Sequence, residues 1–170
     1  MNASHIYAEE DWLAHSYYGI GQIKGIEAKG ISGASVDYFR IQTTDSTFWV
    51  PVDQMDSEKM RPVSTIEEFR LALAILQRPP KEMSPDHKVR KTRIQRVQLQ
   101  NTLEDIARLI RDLRARQRDR GKYNLGENNA VRTFKQRLVD EWSVVMGKNV
   151  ESVTSSLDTL LDHLQLLEEK

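Results

Sequence analysis

The chain has 170 residues, no cysteine, and 25 basic residues against 25 acidic ones. This length suits one large domain or two small ones, and the lack of cysteine excludes a disulfide framework and thiolate metal sites. The N-terminal segment has no basic stretch followed by an apolar core, and no run of about 18 apolar residues occurs, so we expect neither a signal peptide nor a membrane span.

The neutral total hides an uneven distribution of charge. Residues 1–69 hold 5 basic and 11 acidic residues, residues 70–137 hold 18 and 7, and residues 138–170 hold 2 and 7, which gives net charges of −6, +11 and −5. The basic residues are densest in KVRKTRIQR (88–96), which contains no acidic residue. Such a block typically binds a polyanion or an acidic protein surface.

Residues 12–53 have the pattern of short β-strands. Runs rich in Ile, Val, Tyr, Phe and Trp are separated by the turn-prone segments KGISGAS (29–35) and TTDS (43–46). Strands at this spacing, joined by tight turns, predict a small antiparallel barrel. Pro51 cannot donate a hydrogen bond to a neighbouring strand, so we expect it at a strand edge or end.

The periodicity becomes helical from residue 64. Ser64 and Glu67 have the spacing of a capping box, and one apolar stripe follows at Ile66, Phe69, Leu73 and Leu76. RPP (78–80) ends this helix, and SPD (84–86) begins the next with Pro85 in its first turn.

Three more helices are predicted along the rest of the chain. The third begins near Asn101 or Thr102, and Asn124 with Glu127 forms an Asn-type capping box for the fourth. A last helix has apolar residues at Val150, Val153, Leu157 and Leu160. The prediction is therefore an α+β chain, with a β domain at residues 1–62 and an all-α domain of about five helices at residues 63–170.

No arrangement of residues indicates catalysis. The four histidines are far apart, and the chain has no P-loop, no G-x-S-x-G and no cysteine nucleophile. We therefore expect a protein that is not an enzyme and that needs no metal or cofactor.

If the basic segment is helical, its residues divide between two faces of the helix. Val89, Ile94 and Val97 are predicted to face inward, while the basic residues are predicted on the outer face, with Arg96 at its border: Lys88, Arg90, Lys91 and Arg93. Five phosphate contacts would give a log–log salt slope of about −4 to −5 on duplex DNA. The alternative, a solvated helix face balanced by the acidic ends of the chain, stays open.

Four segments together resemble the CarD/CdnL family of bacterial transcription regulators, over about residues 9–165. They are YYGIGQIKGIEAKGISGASVDYFRI, FWVPVDQMDSEKMRPV, ILQRPPKEM and LIRDLRARQRDRG. The resemblance implies that a Tudor-like barrel, shared with transcription–repair coupling factors, binds the β subunit of RNA polymerase. It also implies that the helical domain lies on promoter DNA near the upstream edge of the melted region and stabilises the open complex, in the cytoplasm and without a cofactor.

The resemblance assigns polymerase-binding positions to Lys29, Ile31 and Trp49. Trp49 stands where some members of the family have Arg, and an aromatic side chain can anchor an interface. Because Phe48 and Val50 flank it in a predicted strand, Trp49 is expected on the opposite face from both, at the surface.

The DNA-binding positions depart further from the family pattern. In an ungapped match, His87 stands where the family has a Trp wedge against the minor groove, and Asn128 replaces a lysine. The remaining implied DNA contacts are cations, of which Arg93, Arg96 and Arg132 are additional to the family pattern: Lys88, Arg90, Lys91, Arg93, Arg96 and Arg132.

Two other functions stay open at this point. The first is a polymerase-tethered protein-interaction module that does not stabilise the promoter fork. The second is a nucleic-acid-binding protein that acts independently of polymerase. Nothing in the sequence requires a dimer, so a monomer is expected.

Overall fold

The computed structural model describes residues 6–31, 33–55, 57–120 and 124–168, and the chain divides into two compact units between Val63 and Ser64. The first unit contains β1 (Trp12–His15), β2 (Gly19–Ile31), β3 (Ala34–Gln42), β4 (Thr47–Pro51), a short 3-10 turn (Val52–Gln54) and β5 (Met60–Pro62). The second contains α1 (Ile66–Leu76), α2 (His87–Gln100), α3 (Leu103–Arg120), α4 (Leu125–Met146) and α5 (Val150–Glu168). The predicted α+β class is confirmed.

The first unit is an antiparallel sheet with the strand order β4-β3-β2-β1-β5. Among the described residues, no pairing joins the two outer strands, so the ladder is open and the predicted barrel closure is not seen. The sheet is nevertheless curled, as a contact between distant strands shows. Tyr18, in the turn between β1 and β2, stacks on Phe48 of the edge strand β4 with 4.4 Å between ring centroids. His15 of β1 lies 5.2 Å from the same ring. Pro51 ends the edge strand β4, as its missing N–H predicts.

One bulge lets β2 bend between its two partners. The register shifts between Ile23 and Ile26, and Gly25 has a φ of 130°, a conformation that side chains rarely permit. The sheet encloses a small apolar core formed by Leu13, Ile23, Phe39, Ile41, Phe48 and Met55.

The helix starts differ in detail from the sequence predictions. α1 is capped by Thr65 with Glu68, one residue later than the predicted pair, because the backbone N–H of Ser64 donates to Glu141 Oε1 at 2.7 Å instead. Asp86 caps α2, so Pro85 precedes the helix and does not lie in its first turn. Asn124 caps α4 as predicted, but the capping box is not completed.

The five helices enclose the larger apolar core. Its buried members include residues of the predicted α1 stripe, the apolar side of α3 and the centres of α4 and α5: Phe69, Leu76, Ile106, Ile110, Leu113, Phe134, Leu138, Val153 and Leu157. Ile66 and Val150, predicted at the ends of two stripes, are exposed. No described helix is long and apolar enough to cross a membrane.

Candidate functional site

The outward surface of β2, β3 and β4 presents a cluster of charged and aromatic side chains, here called the Trp49 face: Glu27, Lys29, Tyr38, Arg40 and Trp49. The register explains why they gather, since Glu27 pairs with Tyr38 and Arg40 pairs with Trp49 in adjacent ladders. Paired residues point to the same side of a sheet, and alternate residues of each strand share that side. Trp49 is 40% exposed, so its predicted surface position is confirmed.

Trp49 is held by two neighbours in the Trp49 face. Its indole N–H donates a hydrogen bond to Glu27 Oε2 at 2.7 Å. The ammonium of Lys29 lies 3.5 Å from the centroid of the indole ring, within the range of a cation–π contact. The structure therefore brings together Lys29 and Trp49, two of the three positions predicted for polymerase binding.

The third predicted position, Ile31, ends β2 opposite Ala34, and its side chain lies outside the described part of the chain. Sequence reasoning missed Glu27 and Arg40, which form an ion pair at 2.9 Å beside Trp49. Their signal was present as alternation, because Glu27 lies two residues before Lys29 in the same predicted strand.

The predicted orientation of α2 is wrong at its start. Val89, expected inside, is 52% exposed, whereas Arg90, expected on the outer face, is 5% exposed. Val97 is buried and Ile94 packs against the core, as predicted. Arg90, Ile94 and Val97 have the i, i+4, i+7 spacing of one helix face, so a buried arginine takes the first position of the stripe.

Arg90 is buried because a carboxylate meets it inside the helical unit. Its Nε donates to Glu127 Oε1 of α4 at 2.6 Å, and its Nη1 donates to the backbone carbonyls of Ser84 and Pro85. Arg116 of α3 approaches the other oxygen of Glu127 at 3.3 Å. This Glu127 cluster (Arg90, Arg116, Glu127) joins α2, α3 and α4, and it explains why Glu127 does not complete the cap of α4.

A second carboxylate holds the next turn of α2. Asp112 of α3 is buried, and it pairs with Arg93 at 2.6 Å and with Arg111 at 2.8 Å. It also accepts a bond from the backbone N–H of Lys81 at 2.9 Å. Burial alone would raise the pKa of Asp112, but the bonds from Arg111, Lys81 and Arg93 outweigh it and hold that pKa below its ordinary value. Asp112, Arg93 and Arg111 are called the Asp112 cluster.

Three cations of α2 remain on its outer surface. Lys88, Lys91 and Arg96 are exposed, and within the described residues none of their side chains has a hydrogen-bond or ion-pair partner. They are called the outer cations. His87, at the first position of α2, is exposed beside them. The basic segment is thus split: Arg90 and Arg93 are paired inside the unit, and the outer cations face solvent.

The two predicted DNA-binding residues of α4 differ in their surroundings. Asn128 accepts a bond from the side-chain amide of Gln117 of α3 at 2.6 Å. Arg132 is exposed and lies 3.3 Å from the side-chain oxygen of Asn129. Arg132 follows Asn128 by four residues, so both lie on one side of the helix, and only Arg132 offers an exposed charge.

The described residues contain no group of three His, Asp or Glu side chains that could hold a metal ion. A cleft of about 480 Å³ lies between the α1–α2 connection and α3. Lys81, Asp112 and Arg116 are among the residues that line it. The bonds from Lys81, Arg93 and Arg111 engage both oxygens of Asp112, so this carboxylate serves structure there.

Comparison with known proteins identifies the sheet unit. Residues 7–64 match the family model described as the CarD-like/TRCF RID domain. This range covers all five strands. No curated protein matches the chain. The match indicates an RNA-polymerase-interacting protein, and such a domain is a non-catalytic interaction module. The first unit of this chain is therefore similar to the CarD-like/TRCF RID domain.

Proposed function

We propose that this protein is a CarD-like transcription regulator. In this proposal the sheet unit, a curled Tudor-like domain, binds the β subunit of RNA polymerase, and the helical unit holds promoter DNA so that the open complex lasts longer. The match of residues 7–64 to a polymerase-interacting domain carries the proposal.

The Trp49 face supports the polymerase side of the proposal. A tryptophan that is exposed yet fixed by neighbouring side chains has the properties of an interface anchor. Lys29 and Arg40 flank it with positive charge, and the ion pair to Glu27 balances one of them. A partner surface with an apolar centre and an acidic rim would complement this arrangement.

The outer cations support the DNA side of the proposal. A helix face with Lys88, Lys91 and Arg96 binds phosphates by charge and by release of counterions. Three phosphate contacts give a log–log salt slope of about −2.7 on duplex DNA, and a fourth from Arg132 gives about −3.6. These values are smaller than the slope expected from five contacts, because Arg90 and Arg93 are engaged by carboxylates.

His87 takes the place of the family's tryptophan wedge in this account. Its exposure at the start of α2 leaves the ring accessible to a base edge or a phosphate. An imidazole offers much less apolar area than an indole, so unstacking at the fork contributes less here than electrostatic attraction does. The expected consequence is DNA binding that is strongly salt-dependent and weakly dependent on sequence.

Fluorescence anisotropy on a labelled upstream promoter duplex tests the proposal. The affinity is measured over a salt series, with and without RNA polymerase, for the parent protein and for Lys88→Gln, Lys91→Gln and Arg96→Gln. The proposal predicts that polymerase tightens binding and that each substitution reduces the salt slope by about 0.9. Equal affinity with and without polymerase would favour a polymerase-independent nucleic-acid-binding protein.

One observation favours a second candidate, a polymerase-tethered module that binds another protein. Val89 and Leu99 are 52% and 49% exposed on the same outer surface of α2 as the outer cations. Exposed apolar side chains among cations suit an acidic protein partner. Under this function, DNA affinity stays weak and unchanged by polymerase, while Val89→Ser weakens binding of the partner protein.

A further inference from the structure

We propose that Glu27 is the positioning residue that holds Trp49 ready for its partner, and that the contact left to Trp49 is purely apolar. The proposal rests on the polymerase-binding function of the Trp49 face. The two carboxylate oxygens of Glu27 bind different partners. Oε2 accepts the indole N–H of Trp49 at 2.7 Å, and Oε1 pairs with Arg40 at 2.9 Å.

These contacts determine what Trp49 can offer a partner. The indole N–H is its only hydrogen-bond donor, and Glu27 already accepts it. The ammonium of Lys29 covers one side of the ring at 3.5 Å from the centroid. The open ring face and edge are therefore the remaining contact area, which suits an aliphatic side chain or a proline of the partner.

Glu27 also lowers the cost of binding. A free tryptophan on a strand loses rotamer freedom when a partner fixes it, and that loss reduces affinity. In this chain the bond to Glu27 and the cation above the ring fix the side chain beforehand. Arg40 in turn fixes Glu27, since Arg40 pairs directly with Trp49 in the β3–β4 ladder and its guanidinium donates to the carbonyl of Lys24.

Stability of the sheet is not the role of this contact. The side chains of Glu27 and Arg40 are 43% and 37% exposed, and ion pairs at such positions contribute little to folding. Asp37 provides a matched control, because it is an exposed acidic residue of β3 with no side-chain partner among the described residues. Asp37→Ala makes the same change of charge as Glu27→Ala without touching Trp49.

The first experiment measures the affinity of purified RNA polymerase for the full chain by biolayer interferometry. Glu27→Ala is expected to weaken binding roughly three- to tenfold, and Trp49→Ala at least about thirtyfold. Glu27→Gln, whose amide oxygen still accepts the indole N–H, should stay within about twofold of the parent protein. Asp37→Ala should do the same if the effect is positional and not a matter of net charge.

A double-mutant cycle separates positioning from direct contact. If Glu27 acts through Trp49, Glu27→Ala has no further effect on affinity once Trp49 is Ala. An equal loss in both backgrounds would overturn the proposal, because Glu27 would then contact the partner independently. An unchanged affinity in the Glu27→Ala single variant would overturn it as well.

A readout without polymerase keeps this inference distinct from the proposed function. The indole N–H signal of Trp49, assigned by its loss in Trp49→Phe, should exchange slowly with solvent in NMR spectra of the parent protein. Glu27→Ala should accelerate the exchange, and Glu27→Gln should restore much of the protection. If the parent protein fails to bind polymerase while this pattern holds, the proposed function fails and the positioning of Trp49 stands. If Glu27→Ala leaves the exchange rate unchanged, the positioning role is refuted.

Discussion

Arg90 and Lys91 are adjacent in α2, but changing each to methionine should affect different properties. Arg90→Met should lower the stability of the fold, whereas Lys91→Met should weaken DNA binding. The side chain of Arg90 is 6% exposed and is bonded to Glu127, while Lys91 is exposed and has no side-chain partner in the described part of the chain. Methionine keeps the length and helix propensity of both side chains, so the comparison isolates the charged group.

The size of the stability loss in Arg90→Met follows from the burial of the Arg90–Glu127 ion pair. Removing one partner of a buried ion pair costs about 3 to 5 kcal/mol, because the other charge is left in the interior. Arg116 stays beside Glu127, so the lower end, about 3 kcal/mol, is expected for Arg90→Met. Lys91→Met should change the free energy of unfolding by less than about 0.5 kcal/mol.

Urea unfolding followed by far-UV circular dichroism measures both free energies, and anisotropy measures DNA binding. Arg90→Met should lower the unfolding midpoint strongly, whereas Lys91→Met should only reduce the salt slope of DNA binding by about 0.9. Equal stabilities for the two variants would refute the assignment of Arg90 to the interior. A salt slope that Lys91→Met leaves unchanged would refute the role of Lys91 as a phosphate contact.

Three further substitutions and one control variant test the energetics of the fold. The folded pKa of Asp112 is lowered, so its contribution to stability is present above about pH 4 and is lost as pH falls through the folded pKa. In Asp112→Asn, the free energy of unfolding should therefore depend less on pH in the acid range. Glu68→Ala removes half of the α1 capping box and should cost about 1 kcal/mol in urea unfolding, while Glu67→Ala, one residue away and without a partner among the described residues, should cost little. Gly21→Ala would bring a Cβ within 2.7 Å of the Ile41 side chain and should lower the free energy of unfolding by about 1 to 3 kcal/mol. A calorimetric scan would register this loss as a lower Tm. A Tm equal to that of the parent protein would show that Ile41 moves aside without cost.

The helices and strands were predictable because their periodicity is local. The apolar stripe of α1 and the alternation around Trp49 each lie within a single element, so neighbouring residues in the sequence specify them directly. The cap of α1 was not resolved by the same means, since Ser64 and Thr65 both precede a glutamate by three residues. A bond from Glu141, far along the chain, decides between them.

The predicted orientation of α2 was wrong for a similar reason. Hydrophobic periodicity placed Val89 inside, because an arginine in the core is uncommon without a carboxylate. That carboxylate, Glu127, is 37 residues from Arg90, and no local pattern links the two. Closure of the barrel likewise depends on pairing between strands distant in sequence, and the spacing of turns carries no information about it.

The lifetime of a heparin-challenged promoter open complex measures whether the helical unit stabilises open promoter DNA. It is measured with cognate RNA polymerase alone, with the parent protein, and with a variant in which Lys88, Lys91 and Arg96 are glutamine. The parent protein should lengthen the lifetime, whereas the variant should leave it close to that of polymerase alone although the variant still binds polymerase. An unchanged lifetime with the parent protein, under conditions where it binds polymerase, would contradict the claim that the helical unit stabilises open promoter DNA.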